Sequence, residues 1–488
     1  MNTVILRAKN ARFYKNQQLL YKNTLNFQLD NQKYWSFLGN DTKTLVNGLF
    51  NQQIINKPAN SIEYPLIDNN NIKYPYQLYN FVNFSTRLSN SSDFIDYTAR
   101  YGSLKDNKVT TREFLLSKIK NTERASEIVQ KVTFDLDLFN LLDKPLIALS
   151  NGQSRRLKIA EALINQKHLL ILEEPFTGLD PPSRLKLSEV LKRLHSHSNP
   201  VVLLLLKNSD EIPESTTNIL QITDDNYIEL SRKDKVLSTI TSNNKFSTPS
   251  DVGLGKVNQD KILIDLKDIN ISYRSTPILR NINWTIKPGE RWHLQGYNGS
   301  GKTTLLSLIT GDHPHSFTQN ITLFNSPRVK IPTVHLSTLI GSISPEITSA
   351  FPKHTTLTAF DVVASGFSGI FCYRPTKLQH EKDRVHHLLK HLTPGLDSNT
   401  PFISLTTSQK SCILLARALV NKPPLLLLDE PFQGMSTEDL HRSRHYLQFN
   451  LDDEQSVVFI THYDNEVPWR IDQSRYLRLK DGKIDSIH

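Results

Sequence analysis

Apolar runs of four to six residues, each bounded by charged or small side chains, recur along the chain and alternate with stretches of helical period. The longest are Val201–Leu206 and residues 425–428. Runs of that length suit strands buried on both faces of a parallel sheet. Arg291-Trp292-His293-Leu294, residues 269–273, residues 457–461, Val4-Ile5-Leu6 and Leu25-Asn26-Phe27 read as further strands. Two segments carry helical spacing instead: Leu305, Leu306, Leu308 and Ile309 in one, and Leu157, Ile159, Ala160, Leu163 and Ile164 in the other. Strands alternating with helices predict an α/β fold, a parallel sheet with helices on both faces.

The pattern repeats. Leu149-Ser150-Asn151-Gly152-Gln153 returns as Leu405-Thr406-Thr407-Ser408-Gln409, an offset of 256 (405 minus 149). Residues 170–176 return as 426–432 at the same offset, 35–39 match 292–296 at 257, and 202–213 match 457–468 at 255. Four blocks in one order at nearly one spacing mean two copies of one domain. The first copy is placed at 1–237 and the second at 262–488, with a polar linker rich in Ser, Thr and Asn at 238–261.

Candidate chemistry sits on these repeats. From Gly296 through Tyr297, Asn298, Gly299, Ser300 and Gly301 to Lys302, Thr303 and Thr304, the chain fills every fixed position of G-x-x-x-x-G-K-[ST]. The glycines let backbone N–H groups turn inward around an anion, and Lys302 reaches the β- and γ-phosphates. Thr303 offers its hydroxyl to Mg²⁺. Asp429 and Glu430 end an apolar strand, where ligands bind open α/β sheets. Asp429 suits the oxygen shell of Mg²⁺, and Glu430 suits a base that polarises the attacking water. Ser150 caps a predicted helix whose free N–H groups suit a γ-phosphate.

Together these motifs resemble those of ATP-binding cassette (ABC) ATPases over nearly the whole chain. The chain is similar in particular to soluble fungal twin-cassette proteins without membrane segments, themselves similar to bacterial twin cassettes of the molybdenum-transport and photorepair type. Trp292-His293 and the segment Ile340-Gly341-Ser342-Ile343-Ser344-Pro345-Glu346 carry that part of the likeness. The resemblance implies two tandem nucleotide-binding domains, each with a parallel P-loop core, antiparallel edge strands and a helical subdomain. It implies ATP and Mg²⁺, with Tyr273 stacked on adenine and His462 at the γ-phosphate. It also implies head-to-tail cassettes, so that Ser150, Gly152 and Gln153 of the first signature segment complete the site built on Lys302.

The two sites are expected to differ. From Gly39 to Lys43 is four residues, against six from Gly296 to Lys302, and the inner glycines are missing. Glu173 replaces the metal-binding Asp, Lys207 stands in the place of His462, and the second signature, residues 405–409, has lost its glycine. Four departures at one site predict that it no longer hydrolyses ATP. In the other site the glutamine that the family places near residues 343–346 is absent, leaving Ser344, Pro345 and Glu346.

Composition narrows the rest. At 488 residues the chain is too long for one ordinary core. Two cysteines, Cys372 and Cys412, exclude a disulfide framework, a structural zinc site and an iron–sulfur domain. A net charge of +10 permits RNA, DNA or anionic lipid, with no arginine-rich block or RNA-recognition motif to support them. The first 29 residues hold five basic and no acidic side chains, in the manner of a mitochondrial presequence, yet the strand patterns at 4–6 and 25–27 favour the start of the fold in a cytoplasmic protein. No apolar run reaches the roughly 18 residues of a membrane span, so a membrane partner, if any, is a separate protein. The expected output is ATP hydrolysis at one composite site, coupled to an unidentified protein partner. The alternatives are a nucleotide-gated switch with little hydrolysis and a ribosome- or nucleic-acid-associated ABC protein. A linker of 24 residues (238 to 261), without the long charged helix of ribosomal twin cassettes, ranks that last reading third.

Overall fold

The computed structural model describes residues 3–84, 109–232 and 261–487, except 16, 40–41, 51–53, 59, 68–71, 120–123, 145, 147–148, 150, 197–199, 208–209, 211, 224–225, 274–275, 353–355, 370–377 and 470–474. The described residues divide into two compact units, one ending at Arg232 and the other beginning at Lys261. The expected linker lies outside the described residues except for Lys261.

In the second unit, a six-stranded sheet runs in the order Ile340–Ile343, Leu425–Asp429, Ser456–Ile460, Arg291–Gly296, Arg475–Lys480 and Lys483–Ile487. The first five strands are parallel and the last is antiparallel. The first unit repeats the order with Tyr79–Asn83, Leu169–Glu173, Val201–Leu206, Trp35–Leu38, Asn218–Ile222 and Ile228–Arg232, again with only the last antiparallel. The sequence repeat is thus a repeat of topology, strand for strand.

Alternation explains why these strands are apolar throughout. Leu426, Leu428, Val457 and Phe459 face one core cluster, while Leu425, Leu427, Val458 and Ile460 face another. In the first unit Leu170, Leu172, Val202 and Leu204 pack on one face, and Leu169, Ile171, Leu203 and Leu205 on the other. Successive side chains point to opposite faces, so a sheet covered on both sides needs apolar residues at every position.

Each unit adds a separate antiparallel sheet, built on Val4–Lys15 with Leu25–Asp30 in the first and on Ile264–Tyr273 with Thr276–Ile286 in the second. A helical part follows in each: Thr111–Ser117, Ala125–Asp135 and Asn151–Ile164, then Ala359–Ala364, Gln379–Leu392 and Thr407–Leu419. The expected α/β architecture, with its antiparallel edges and helical subdomain, is present in both copies. The strand expected at 457–461 spans Ser456–Ile460, which leaves Thr461 and His462 in the turn beyond it.

Candidate nucleotide site

The loop from Gly296 to Gly301 joins the strand Arg291–Gly296 to the helix Lys302–Thr310. Its three glycines all lie at positive φ, 149° at Gly296, 84° at Gly299 and 103° at Gly301. A Cβ at Gly296 would lie 2.6 Å from the Leu479 carbonyl, and one at Gly301 would lie 2.6 Å from the Leu279 side chain. Only glycine lets the backbone take this shape, so the sequence motif is a conformational requirement here. The loop is a built cradle, because the buried Ser300 Oγ has no protein partner in it. The first amides of the helix Lys302–Thr310 lack intrahelical partners and face an anion's position.

Lys302 is buried, and its Nζ donates to the carbonyls of Gly296 at 2.6 Å and Tyr297 at 3.1 Å. The ammonium is therefore held at the lip of its own loop. Thr303 and Thr304 occupy the first turn of the same helix, Asn298 lies in the loop, and Tyr273 ends the strand Ile264–Tyr273.

Two neighbouring parallel strands bring the acids and the histidine together. Asp429 pairs in register with Ile460, which places His462 just past the strand end beside Glu430. His462 Nε2 lies 3.7 Å from Glu430 Oε1. Glu430 has φ 49°, a left-handed conformation that Glu174 shares in the first copy. Strain of this kind in a non-glycine residue gathers at functional turns. Burial first, and Glu346 after it, raise the Asp429 carboxyl against the opposing charge of Lys302, to about 7. A buried carboxylate beside a second acid offers hard oxygen donors of the kind that suit Mg²⁺. Glu346, which the sequence placed only where the family's glutamine is absent, is the second acid that acts on Asp429. The register Ile343 with Leu428 sets the start of the helix Pro345–Ala350 alongside Asp429, a relation invisible without knowing which strands pair.

The first copy keeps the frame and fills the space. Gly39 has φ 135°, and its Cβ would meet the Ile222 carbonyl at 2.8 Å, the same crowding as at Gly296. Beyond it the helix Thr42–Leu49 begins at once. Lys43 Nζ pairs with Glu173 Oε2 at 3.1 Å, and Asn83 donates to the same oxygen. Lys207 Nζ pairs with Glu174 Oε2 at 2.9 Å, where the second copy has His462 and Glu430.

Of the signature residues, Gly152 and Gln153 lie in the first turn of the helix Asn151–Ile164, and Ser150 lies outside the described residues. The second signature is spent on its own fold. Thr406 and Gln409 form a reciprocal cap, while Ser408 donates to Asp439 and accepts from the Ser436 amide.

Comparison with known proteins follows the same line. The family model described as "ABC transporter" matches residues 54–177 and 279–433. An uncharacterized ABC transporter ATP-binding protein of Schizosaccharomyces pombe is 32% identical over 98% of each chain. The ABC transporter ATP-binding protein ModF of Escherichia coli is 32% identical over 74% of this chain and 75% of its own. Among solved structures, a model of ribosome-bound archaeal Pelota and ABCE1 matches with TM-score 0.62 at 17% identity, over 97% of this chain and 77% of that one. RNase-L Inhibitor matches with TM-score 0.52 at 17% identity, over 98% and 90%. At those identities the two structures speak for the fold alone.

Proposed function

The chain belongs to the ABC transporter family of ATP-binding proteins, and on that footing we propose that it hydrolyses ATP at the phosphate loop of its second copy. What carries the reading is the loop in its glycine-only conformation with Asp429, Glu430 and His462 at the ends of adjacent strands. Gly296, Asn298, Gly299, Ser300, Gly301, Lys302 and Thr304 would hold the phosphates, and Tyr273 the adenine. Thr303 and Asp429 would hold Mg²⁺, which when bound neutralises phosphate charge. Glu430 polarises the attacking water and His462 steadies it against the γ-phosphate. The first copy's ion-paired site does not turn over.

Turnover is coupled to a protein partner, in a membrane or in solution. Among the described residues no helix is long and apolar enough to cross a membrane. The net charge of +10 leaves nucleic acid as a second class of partner. The basic N-terminal stretch, read as a mitochondrial address or the start of the fold, supplies the core strands Val4–Lys15 and Leu25–Asp30, which favours the second reading and a cytoplasmic protein.

A steady-state ATPase assay paired with a nucleotide-binding measurement tests the mechanism. Glu430→Gln should keep ATP binding and lose turnover by about a hundredfold or more, since only the base is removed. Turnover at the wild-type rate in that variant overturns the mechanism. The place of Ser150, Gly152 and Gln153 in the site rests on the family resemblance. Gly152→Asp would add a carboxylate beside the γ-phosphate and should reduce turnover to the level of Glu430→Gln, with ATP still bound. Ser408→Asp in the second signature should do much less, and equal effects of the two would sink the asymmetry.

A further inference from the structure

Arg417 lies near the end of the helix Thr407–Leu419, at the amino-terminal end of the strands whose carboxyl ends hold Asp429. Its Nε donates to Ser365 Oγ at 3.0 Å and its guanidinium lies over the Phe351 ring, 5.6 Å from the centroid. Among the described residues no carboxylate comes within ion-pair distance of it. The segment 370–377 that follows Gly369 holds Arg374 and Lys377 and no acid, so the sequence there offers no counter-ion either. Burial pushes the Arg417 guanidinium down to about 10, with no neighbouring charge to oppose the shift. An arginine has five N–H donors in a rigid fork, and the bond to Ser365 uses one of them.

The side chain lines a small cleft with Ser337, Thr338, Asn421 and the backbones of Gly341, Gly366 and Gly369. The walls are close-packed main chain. A Cβ at Gly341, Gly366 or Gly369 would lie 2.1 Å from the carbonyls of Ala418, Arg417 and Ser337 respectively. Glycine at these three positions lets the main-chain segments of the cleft wall approach this closely.

The first copy carries different side chains at this position, which also borders a small cavity there. Glu161 stands there, 256 residues earlier (417 minus 161), and pairs with Lys118 at 2.8 Å. Asn80 occupies the place of Gly341, since Asn80 is in register with Leu170 as Gly341 is with Leu426. Its amide donates to the Ala162 carbonyl at 2.6 Å, whereas in the second copy the matching carbonyl of Ala418 faces a glycine. One copy supplies both charges of an ion pair. The other supplies the cation alone.

We propose that the cleft around Arg417 is a binding site for a single carboxylate-sized anion. The guanidinium fork matches a carboxylate in two parallel hydrogen bonds, and the anion supplies the charge that Glu161 and Lys118 supply to each other in the first copy. The carboxylate is that of a free small anion or of an aspartate or glutamate side chain on a partner. The site lies at the other end of the sheet from the phosphate loop and stands whether or not the chain hydrolyses ATP.

Thermal unfolding of the full chain, with formate replacing gluconate at constant ionic strength, tests the proposal. Formate enters the cleft and gluconate does not, so the wild-type midpoint should rise and saturate with formate. Asn421→Asp places a carboxylate on the cleft wall, just past the end of the helix that carries Arg417. That variant gives up the bond from the Asn421 amide to the Thr338 carbonyl at 3.1 Å, so its readout is the formate dependence and not its own midpoint, and it should lose the formate shift. Arg417→Lys keeps the charge without the fork, and its formate dependence should weaken at least tenfold. N-acetyl-aspartate amide separates the sources: a shift matching that of formate assigns the cleft to a side-chain carboxylate, and a shift with formate alone assigns it to a free anion. Crystals of the wild type soaked in bromide give a readout free of folding effects, an anomalous peak within hydrogen-bonding reach of the guanidinium. No formate shift in wild type, an undiminished shift in Asn421→Asp, or no bromide peak at Arg417 overturns the proposal.

Discussion

The two copies share a sheet order and a glutamate turn, and differ in where their charges find partners. In the first, Lys43 is bound to Glu173 and Lys207 to Glu174. In the second, Lys302 rests on two carbonyls of its own loop, and Asp429 is buried with Glu346 for a neighbour. A nucleotide phosphate could draw on Lys43 or Lys207 only by competing with Glu173 or Glu174. A nucleotide entering the second copy relieves a site with excess negative charge, provided that a metal comes with it. The decay of a phosphate loop is thus more than lost glycines. In the first copy the chain pairs these cations with its own carboxylates.

The largest effect should come from Lys302. Lys302→Ala removes the ammonium that meets the β- and γ-phosphates, so ATP affinity and turnover should fall together, turnover by about a hundredfold or more. Equilibrium binding and steady-state hydrolysis on the same preparation check this. A variant that keeps both within a few-fold of wild type would move the active site elsewhere and erase the contrast between the copies.

Next in size is the pH dependence of metal binding. Asp429 is raised from 3.8 to about 7 in the nucleotide-free chain, by burial and then by Glu346, against Lys302. Because the folded value lies above the unfolded one, this group costs stability as pH rises from about 4 to 7 and costs nothing further above that. The metal needs the ionised carboxylate. Affinity for Mn²⁺, followed by its paramagnetic resonance between about pH 5.5 and 8, should therefore fall up to tenfold per unit below about 7. Glu346→Gln removes one cause of the shift and should move the midpoint down. An unchanged profile in that variant would mean that Glu346 does not act on Asp429.

These tests also mark what was legible in the sequence. The phosphate loop was, because G-x-x-x-x-G-K-T states a backbone conformation directly, and all three glycines have the φ it demands. The apolar strands were, since a sheet covered on both faces shows as an unbroken run such as Val201–Leu206. The Asp429–Glu430 pair was legible from its place after one of them. What could not be read were partners distant in sequence. Lys43 and Glu173 are 130 residues apart and meet only because their strands and helix converge at one sheet end. Glu346 needed the register of Ile343 with Leu428. The second signature looked merely degenerate, whereas its Ser408 and Gln409 are engaged in capping and in holding Asp439 and Ser436.

The smallest effect should be that of Lys43, and it sharpens the comparison most because the same change is made at the matching helix start. Lys43 holds Glu173 at 3.1 Å with half of its own side chain exposed. An ion pair open to solvent on one side contributes about 1 kcal/mol or less. Lys43→Ala should therefore lower the unfolding midpoint slightly, since Glu173 keeps its bond from Asn83. Hydrolysis should change less than about threefold, under about 1 kcal/mol of barrier. Lys43→Ala combined with Lys302→Ala should hydrolyse no more slowly than Lys302→Ala alone. A collapse of turnover in Lys43→Ala, with the fold intact by circular dichroism, would show that the first copy takes part in the chemistry and that its ion pairs open to admit a nucleotide.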